Sequence, residues 1–576
     1  MTSEWRMGLI GAAFLTVSGA TSAVAQDAEG GASGDGGTDI VVTAQKRSER
    51  LSDVPISVTA VTGSLLANKN ITSANDLERV VPGFTYQAGM FGTPVFTIRG
   101  VGFYENSLAV APAVSVYLDQ VPLPFLAMAS GVSLDLERVE ALKGPQGTLF
   151  GQNSTGGAIN YIAAKPLDHF EGQSSAEYGR FNDIKLTQVL TGPISDTLRA
   201  RVAVRAERRG GWQKSYTRDD TLGRRNFLTG RLTLEWEPSD RTKISVNLNG
   251  WRDRSETPAA QFRQLAPTSP AGRQEAIVFL GTYPLSPANI RSADWDANTS
   301  LKRRDRFYQA ALRGDFEMSD TTTLTSITSY SNLRVKSPLD ADGVNYLDHF
   351  VNASGYIRSF SQELRASGNT DAIRWMVGGN VQTDSSLDEK ETLSKGSNQA
   401  IGPRLFTGSA NINKQQVSTW AAFASVDVNL TDQLTVLGSV RYTDQDRNFS
   451  GCLADRNGGT ALAFAALATQ LSGIPTVIAP GACLSLDAQN RPGLVRNKLN
   501  QDNLSWRAGL NWKPNSSALF YANITKGYKA GSFGTLAAIR ATQFTPVTQE
   551  SVLAYEVGAK QALFDRRVQL SAAAFY

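Results

Sequence analysis

The stretch LRARVAVRAE, residues 198–207, alternates two kinds of side chain with a period of two. One face carries apolar or small residues, which are Leu198, Ala200, Val202, Val204 and Ala206. The other face carries charged residues, which are Arg199, Arg201, Arg205 and Glu207. Period-two alternation predicts a β-strand with one face in an apolar environment. The same split recurs at 228–236, 244–249, 422–430 and 504–512. Most of these segments are near the roughly 9 to 11 residues that a tilted strand needs to cross hydrocarbon.

Short polar breaks and long irregular segments separate the alternating stretches. The short breaks lie near Pro193, Pro238, Met318, Asn369, Leu430, Pro514 and Asp565, and four of them adjoin the aromatic residues Trp236, Phe316, Trp512 and Phe564. The longest irregular segments are 255–301 and 448–500. Tight turns on one rim, long loops on the other and an aromatic girdle are typical of an outer-membrane β-barrel. A soluble β-sandwich would also alternate, but shorter strands would suffice for it and it would not place arginine repeatedly at lumen-type positions.

The number of breaks predicts the number of strands. Seven tight turns imply fourteen strands, and the segment 170–180 adds a fifteenth. Fifteen antiparallel strands cannot close, because the first and last would meet in parallel, and single-chain bacterial barrels have an even number. Plugged transporters close at about 22 strands, so we expect 167–576 to form a partial transmembrane antiparallel barrel with further strands beyond Tyr576. A terminal aromatic residue also suits a natural end.

The N-terminal part of the chain has a different character. A lone Arg6, the apolar run 7–17 and Ala23–Ala25 predict a secretory signal peptide, 1–25, that is cleaved before Gln26. A glycine-rich leader, 26–52, follows, and 53–166 mixes strand and helix signals, as expected for a compact α+β domain. The barrel lumen is the natural place for such a domain.

Composition excludes several classes of function. The 576 residues include two histidines, His169 and His349, so we expect no metal centre, no cofactor and no catalytic triad. A formal charge of +4 gives no reason to expect a nucleic-acid partner. Both cysteines, Cys452 and Cys483, lie in one irregular segment, and in an exported protein this favours a local disulfide over free thiols.

Three motifs carry a resemblance to a known family. They are DLERVEALKGPQGTLFGQNSTGGAINYI at 135–162, TIRG at 97–100 and VYLD at 116–119. Together they closely resemble the plug domain of TonB-dependent outer-membrane receptors. The segment DIVVTA resembles the TonB box of the same family and consists of Asp39, Ile40, Val41, Val42, Thr43 and Ala44. The resemblance covers nearly all of the chain after the signal peptide and implies a plug inside the barrel.

The plug motifs supply candidate structural residues, which are Arg99, Gly100, Glu137, Arg138, Gly144, Pro145, Gly147, Gly151, Gly156 and Gly157. The glycines allow tight turns and close approach of the plug backbone to the wall. The resemblance implies buried ion pairs between plug and barrel at Arg99, Glu137 and Arg138, with exposed surface charge as the alternative. GPQGTLFG lacks the Gly-Lys-Ser/Thr ending of a phosphate-binding loop, so nucleotide binding is not expected.

The β-branched TonB-box segment after its glycine-rich leader predicts an unpaired strand that a partner can extend by β-augmentation. The resemblance implies that this partner is TonB, coupled to its energising complex in the inner membrane. The alternative is a first plug strand that pairs within the chain.

The resemblance implies active import of a scarce solute across the outer membrane of a Gram-negative bacterium, by a chain expected to be a monomer embedded in outer-membrane lipid. A ferric siderophore is the default ligand of this family, and oligosaccharides or aromatic compounds are alternatives. We expect Phe91, Phe103 and Tyr104, in glycine-flanked segments of the plug, to contact the ligand. A passive porin or adhesin barrel is the main competing class, and an outer-membrane enzyme is a third.

Overall fold

A computed structural model describes residues 40–576, except 90, 106, 266–273, 396–399, 402–403, 406–407, 535–537 and 565–566. The predicted signal peptide and Asp39 lie outside the described residues. Two folded parts are present: one large antiparallel sheet and a smaller domain that precedes it in sequence.

The large sheet has fifteen strands, as predicted, and each pairs antiparallel with its neighbour in sequence order. We number them β10–β24, after the nine strands of the smaller domain. Their bounds are β10 Glu171–Gly179, β11 Asp183–Pro193, β12 Leu198–Arg209, β13 Arg225–Ser239, β14 Thr242–Asp253, β15 Asp305–Ser319, β16 Thr322–Asp340, β17 Phe350–Asn369, β18 Ile373–Leu393, β19 Gly408–Asn429, β20 Leu434–Asp455, β21 Val495–Asn515, β22 Ala518–Lys529, β23 Glu550–Leu563 and β24 Val568–Phe575. Strands β10 and β24 are the two edges of this sheet.

Connections of two very different lengths join these strands at the two rims. Six of the seven predicted tight turns connect strands at one rim, which we call the tight-turn rim, while the seventh, at Asp565, lies outside the described residues. The longest connections, 254–304 and 456–494, lie at the opposite, long-loop rim. The predicted aromatic residues stand at the tight-turn rim, where Trp236 is 46% and Trp512 is 47% exposed. The central strands contain up to 22 residues. Strands are therefore longer than the predicted membrane-crossing segments, because the sheet continues toward the long loops.

The two faces of the sheet are inverted relative to a water-soluble protein. Outward side chains are apolar and exposed, as at Val202 and Val204, each 41% exposed. Inward side chains are polar and buried, as at Arg231, 6% exposed, and Thr443, 0% exposed. This distribution fits a wall that meets lipid outside and a filled polar lumen inside.

The smaller domain, the plug, is built around a five-stranded sheet in the order β3-β8-β9-β6-β7, in which β6 and β9 are parallel. Its strands are β1 Val41–Val42, β2 Glu49–Arg50, β3 Val58–Thr62, β4 Phe84–Gln87, β5 Val95–Ile98, β6 Val114–Leu118, β7 Val121–Leu123, β8 Leu136–Lys143 and β9 Gly157–Ala163. The helical pieces are α1 Gly63–Asn68 and the 3-10 turns Leu51–Asp53, Asn75–Arg79 and Leu126–Gly131.

The plug lies inside the curved wall. Its apolar core includes Phe96, Ile98 and Tyr161, and inward wall residues such as Trp251 and Phe307 join the same cluster. The indole N–H of Trp251 donates to the backbone carbonyl of Met128 at 3.2 Å. The predicted placement of this domain in the lumen is confirmed.

The long loops carry structure of their own. They contain α2 Gln274–Thr282, α3 Gly459–Ser472, the 3-10 turn Ala541–Phe544 and short strands at Gln213–Ser215, Thr221–Leu222, Ser292–Ala293, Ala400–Ile401, Arg404–Leu405, Ser532–Phe533 and Pro546–Val547. Cys452 and Cys483 form the predicted disulfide, which ties the outer end of β20 to the segment after α3. Within the described residues, every helix is too short or too polar to span a bilayer.

Candidate functional site: the plug and its contacts with the wall

The motif glycines have three kinds of neighbour: a wall strand, arginine side chains and the plug backbone. Gly147 faces the wall, because an added Cβ would lie 2.8 Å from Ser505 Oγ. Gly144 and Gly151 have φ values of +82° and +89°, which favour glycine, and their neighbours are the arginines Arg99 and Arg441. Gly156 and Gly157 differ from the prediction. An added Cβ there would meet the carbonyls of Val101 and Leu142, so these two glycines serve packing within the plug.

Pro145 and Gly100 complete the motif. Pro145 lies against Gly527 of the wall, where an added Cβ would be 3.0 Å from the proline Cβ. Gly100 has a φ of +78° and Arg99 a φ of +54°, so the TIRG segment turns sharply. This turn directs the Arg99 side chain toward the wall.

Arg99 makes the predicted ion pair between plug and barrel. Its Nη1 lies 2.6 Å from Glu556 Oε2 on β23, and both side chains are 11% exposed. The other carboxylate oxygen of Glu556 accepts hydrogen bonds from the backbone N–H of Ser57 at 3.0 Å and from the Tyr521 hydroxyl at 2.9 Å. Glu556 therefore joins two plug segments to two wall strands.

Arg138 and Glu137 do not form the expected contacts with the wall. The Nε of Arg138 lies 2.8 Å from Glu140 Oε1, and the guanidinium also contacts Glu137, so these pairs stay within the plug. Residues 138 and 140 are two apart on β8 and share a face of the strand, which brings the two charges together. Glu137 is the outer member, with a side chain 42% exposed.

Inward arginines of the wall supply further contacts that the plug motifs did not predict. Arg201 binds both carboxylate oxygens of Asp135, at 2.7 and 2.6 Å. Arg231 donates to the backbone carbonyls of Leu134 at 2.6 Å and of Val132 at 3.1 Å. The recurrence of arginine on the polar face of the strands was the sequence signal for these contacts. Their partners in the plug could not be predicted, because they depend on how the plug is placed in the barrel.

The TonB-box-like segment is paired within the chain, which corrects the prediction of an unpaired strand. Val41–Val42 forms an antiparallel ladder with Glu49–Arg50. Val42 is fully buried and Ala44 is 2% exposed, while Val41 is 45% exposed. The backbone N–H of Thr43 donates to Glu140 Oε1 at 2.7 Å. Buried apolar side chains and backbone groups with partners keep this strand, β1, against the plug.

The hairpin β1–β2 is also tied to the tight-turn end of the wall. Lys46 Nζ lies 2.6 Å from Glu363 Oε2, and Arg47 pairs with Asp427. Glu49 accepts from Arg374 Nη1, at 3.0 Å, near the start of β18. The pKa of Lys46 is lowered to about 8 because burial outweighs the attraction of Glu363. Burial raises the pKa of the Glu140 carboxyl, and Arg138 and Thr43 oppose this shift.

The predicted ligand-contacting aromatics lie at the opposite, long-loop end of the plug. Lys390 Nζ stands 5.1 Å from the centre of the Phe91 ring, and Lys529 Nζ stands 3.6 Å from the centre of the Phe103 ring. Both lysines lie near the outer ends of wall strands. Tyr104 is 50% exposed. Two aromatics and two cations thus meet where the plug faces the long loops.

A cavity of about 530 Å³ lies between plug and wall beside β1. Thr43, Lys46, Asp119, Arg138 and Arg313 are among the residues that line it. It gives the hairpin and the neighbouring plug segments a polar space adjoining the wall. The plug therefore presents aromatic side chains toward the long loops and the hairpin β1–β2 toward the tight turns.

Comparison with known proteins agrees with this architecture. A family model described as TonB dependent receptor-like, beta-barrel matches residues 250–576. A second model, described as TonB-dependent Receptor Plug Domain, matches residues 50–158. The two matched regions contain the sixth to fifteenth wall strands, β15–β24, with the last residues of β14, and most of the plug.

Individual relatives share only 20 to 30% of their residues with this chain over the matched regions. The pesticin receptor of Yersinia pestis is 30% identical over 205 residues, which is 35% of this chain and 30% of the relative. The pesticin receptor of Yersinia enterocolitica is 23% identical over 540 residues, which is 93% of this chain and 69% of the relative. The chain thus matches less than a third of the first relative's length.

A solved structure shows the same fold. The ferric yersiniabactin uptake receptor FyuA of Yersinia pestis superposes with a TM-score of 0.69 at 19% identity, covering 90% of this chain and 72% of FyuA. Barrels of this family lie in the outer membrane of Gram-negative bacteria. Since the barrel model alone matches more than half of the sequence, the chain belongs to the TonB-dependent receptor family.

Proposed function

We propose that this chain imports a ferric siderophore across the outer membrane, with TonB and its inner-membrane energising complex acting on the segment Asp39–Ala44. The observation that carries the proposal is that the two ends of the plug differ and face opposite rims of the barrel. Its aromatic apices face the long loops, whereas β1 is at the tight-turn rim, where a periplasmic partner would approach. Import would thus begin at one end of the plug and be energised at the other.

The pairing of β1 with β2 limits how a partner can bind to β1. Glu49–Arg50 takes one edge of Val41–Val42, so TonB would have to displace β2 in order to add a strand at that edge. The ladder is two residue pairs long, so little backbone pairing would be lost in the exchange. Pulling on this segment would load the contacts at Lys46 and Arg47 and then the plug itself.

The ligand end favours a solute with aromatic groups. Phe91, Phe103 and Tyr104 offer rings, whereas the two lysines beside them are already paired, Lys390 with Asp388 at 2.8 Å and Lys529 with Glu550 at 4.0 Å. Similar proteins include a ferric yersiniabactin uptake receptor and a catecholate siderophore receptor, which supports a ferric siderophore over a neutral oligosaccharide. Aromatic compounds remain the second candidate, because the same rings would bind them.

The proposed domain limits are a signal peptide at 1–25, a leader at 26–52, a plug at 53–166 and a barrel at 167–576. A monomer in outer-membrane lipid suffices for this function, because the plug makes its contacts with its own wall. Transport, not catalysis, is the activity proposed for the site.

Deletion of Asp39–Ala44 tests the function. An energised importer would keep binding its ligand but lose uptake, whereas a passive porin would lose neither. Growth of a receptor-deficient strain on a panel of iron chelates and glycans, with the wild-type gene restored, identifies the ligand to use. Unchanged uptake by the deletion variant contradicts the proposal.

Replacing Phe91 or Tyr104 by alanine tests the ligand end. Loss of one stacked ring should weaken binding by about three- to tenfold, as aromatic contacts contribute roughly 0.5 to 1.5 kcal/mol beyond their buried area. The measurement is the affinity of purified protein for the ferric siderophore selected by growth. Unchanged affinity in both variants would remove these residues from the binding site.

A further inference from the structure

The outward face of three adjoining wall strands carries a row of arginines. Arg252 on β14 is directly opposite Arg306 on β15, and Arg306 is directly opposite Arg334 on β16. All three are exposed. Like charges placed directly opposite each other on adjacent strands are destabilising. An anion bound from outside would offset this repulsion.

A second row lies two residues nearer the long loops. It contains Arg208, Arg254, Arg304 and Lys336, which are all exposed. We call these four residues and the first three the outward basic patch. None of the seven side chains forms an ion pair with an acidic residue in the described part of the chain. Glu256, a nearby carboxylate, is occupied by Arg224 at 3.0 Å.

The patch stands at the boundary between apolar and polar parts of the outer wall. Tyr308 lies two residues from Arg306 on the same face of β15, on the side toward the tight turns. It is 50% exposed, and its ring lies 6.2 Å from that of Tyr330. Beyond this aromatic pair the outward residues are apolar, with Leu312 at 49% and Leu248 at 43% exposed. Two residues along a strand span about 7 Å. The cations thus lie just beyond an aromatic pair at the edge of the apolar band, which is where lipid headgroups are expected.

We propose that the outward basic patch binds the phosphate groups of a phosphorylated glycolipid in the outer leaflet, the chemistry of lipopolysaccharide. Guanidinium groups bind phosphate oxygens through paired, charge-assisted hydrogen bonds, and neighbouring arginines can share one anion. The acyl chains would lie on the exposed apolar band below the patch. Free phosphate offers the anion without this second contact, so the lipid is the occupant that fits both features.

The test compares two triple variants in detergent. R252Q/R306Q/R334Q removes the central row, and R263Q/R491Q/R540Q removes three exposed arginines from the long loops as a matched loss of charge. Each protein is titrated with intact lipopolysaccharide, with dephosphorylated lipopolysaccharide and with inorganic phosphate. Bound glycolipid per barrel is measured by native mass spectrometry, and the midpoint of thermal unfolding is measured in parallel.

The wild type and the loop variant should bind intact lipopolysaccharide and unfold at a higher temperature in its presence. The row variant should bind at least about tenfold more weakly, since it loses several charge-assisted contacts. Without glycolipid it should unfold at the same temperature as the wild type or higher, because the repulsion within the row is gone. Should the triple variant not fold, R306Q alone removes the central charge and should weaken binding by about threefold or more.

Equal binding by the wild type and the row variant would overturn the inference. So would equal binding of intact and dephosphorylated glycolipid, or an equal thermal shift from inorganic phosphate alone. An equal loss in the loop variant would assign the effect to net charge and also overturn it. The readout does not use solute uptake, so it is independent of the proposed import function.

Discussion

At the scale of single residues, the carboxylate of Glu556 joins plug and wall through three polar contacts. It accepts from the Arg99 guanidinium, the Ser57 backbone N–H and the Tyr521 hydroxyl. Removing one partner of a buried ion pair is costly because the other charge stays buried without compensation. The attachment of the plug should therefore be sensitive to Arg99.

Arg99→Gln should destabilise the seated plug by about 3 to 5 kcal/mol, the usual effect of breaking a buried pair. The measurement is the urea midpoint for release of the plug in detergent, followed by protease sensitivity. Arg79→Gln is the control, since its pair with Asp76 has an arginine side chain that is 55% exposed. Exposed pairs contribute about 1 kcal/mol or less. Equal midpoints for both variants would contradict the assigned role of Arg99.

Gly147→Ala should destabilise the plug by about 1 to 3 kcal/mol, because overpacking a tight contact forces neighbours to move. Its new methyl would meet Ser505, and Ser505→Gly in the same chain should restore most of the loss. Gly438→Ala is the control, because nothing lies within 4 Å of its added Cβ. The same urea measurement checks it. A neutral effect of Gly147→Ala would show that plug and wall are not in close contact here.

At the scale of elements, the hairpin β1–β2 is the segment that has to change for TonB to bind by strand addition. A disulfide between its strands should hold it closed. Val41 and Arg50 are directly opposite partners, and Val41 is exposed, so V41C/R50C can be oxidised with little change to the buried face. The locked protein should keep ligand binding and lose at least about nine-tenths of uptake, and reduction should restore it.

The control for this experiment is the wild type under the same oxidation and reduction, because the loops carry the Cys452–Cys483 bond. The measurement is uptake of a transported ferric siderophore by intact cells. Full uptake by the oxidised variant would show that TonB does not need β1 as a free strand.

The elements also show where sequence reasoning succeeds and where it ends. Period-two patterning and turn chemistry are local properties, so they predicted fifteen wall strands and seven tight turns. The pairing of Val41–Val42 was the alternative and not the main prediction, because its stability comes from burial of Val42 and from Glu140, which is 97 residues away from Thr43. The partners of Arg138 were also not predicted, because they depend on whether its face of β8 points toward the wall or toward the plug. The sequence alone did not give this orientation.

At the scale of the whole molecule, the chain combines two opposite environments in one sheet. The wall buries Arg231 and Arg201 toward the plug, while Leu186 and Leu190 stand 52% and 44% exposed on the other side. Exposed apolar area on this scale is expected for a surface that meets lipid and is unusual for a monomer in water. Sequence patterning predicted this inversion, whereas the contacts that seat the plug required the three-dimensional structure.

A nitroxide scan along residues 198–207, in protein reconstituted into bilayers, tests this central claim most directly. Oxygen collisions should be high at positions 202 and 204 and low at 201 and 203, because Val202 and Val204 face outward, Ala203 is 1% exposed beside Leu134 of the plug, and Arg201 binds Asp135. Period-two oxygen accessibility, with a polar relaxation agent excluded from 202 and 204, is the predicted result. Equal access of the polar agent to all four positions would contradict a lipid-embedded wall closed around a plug.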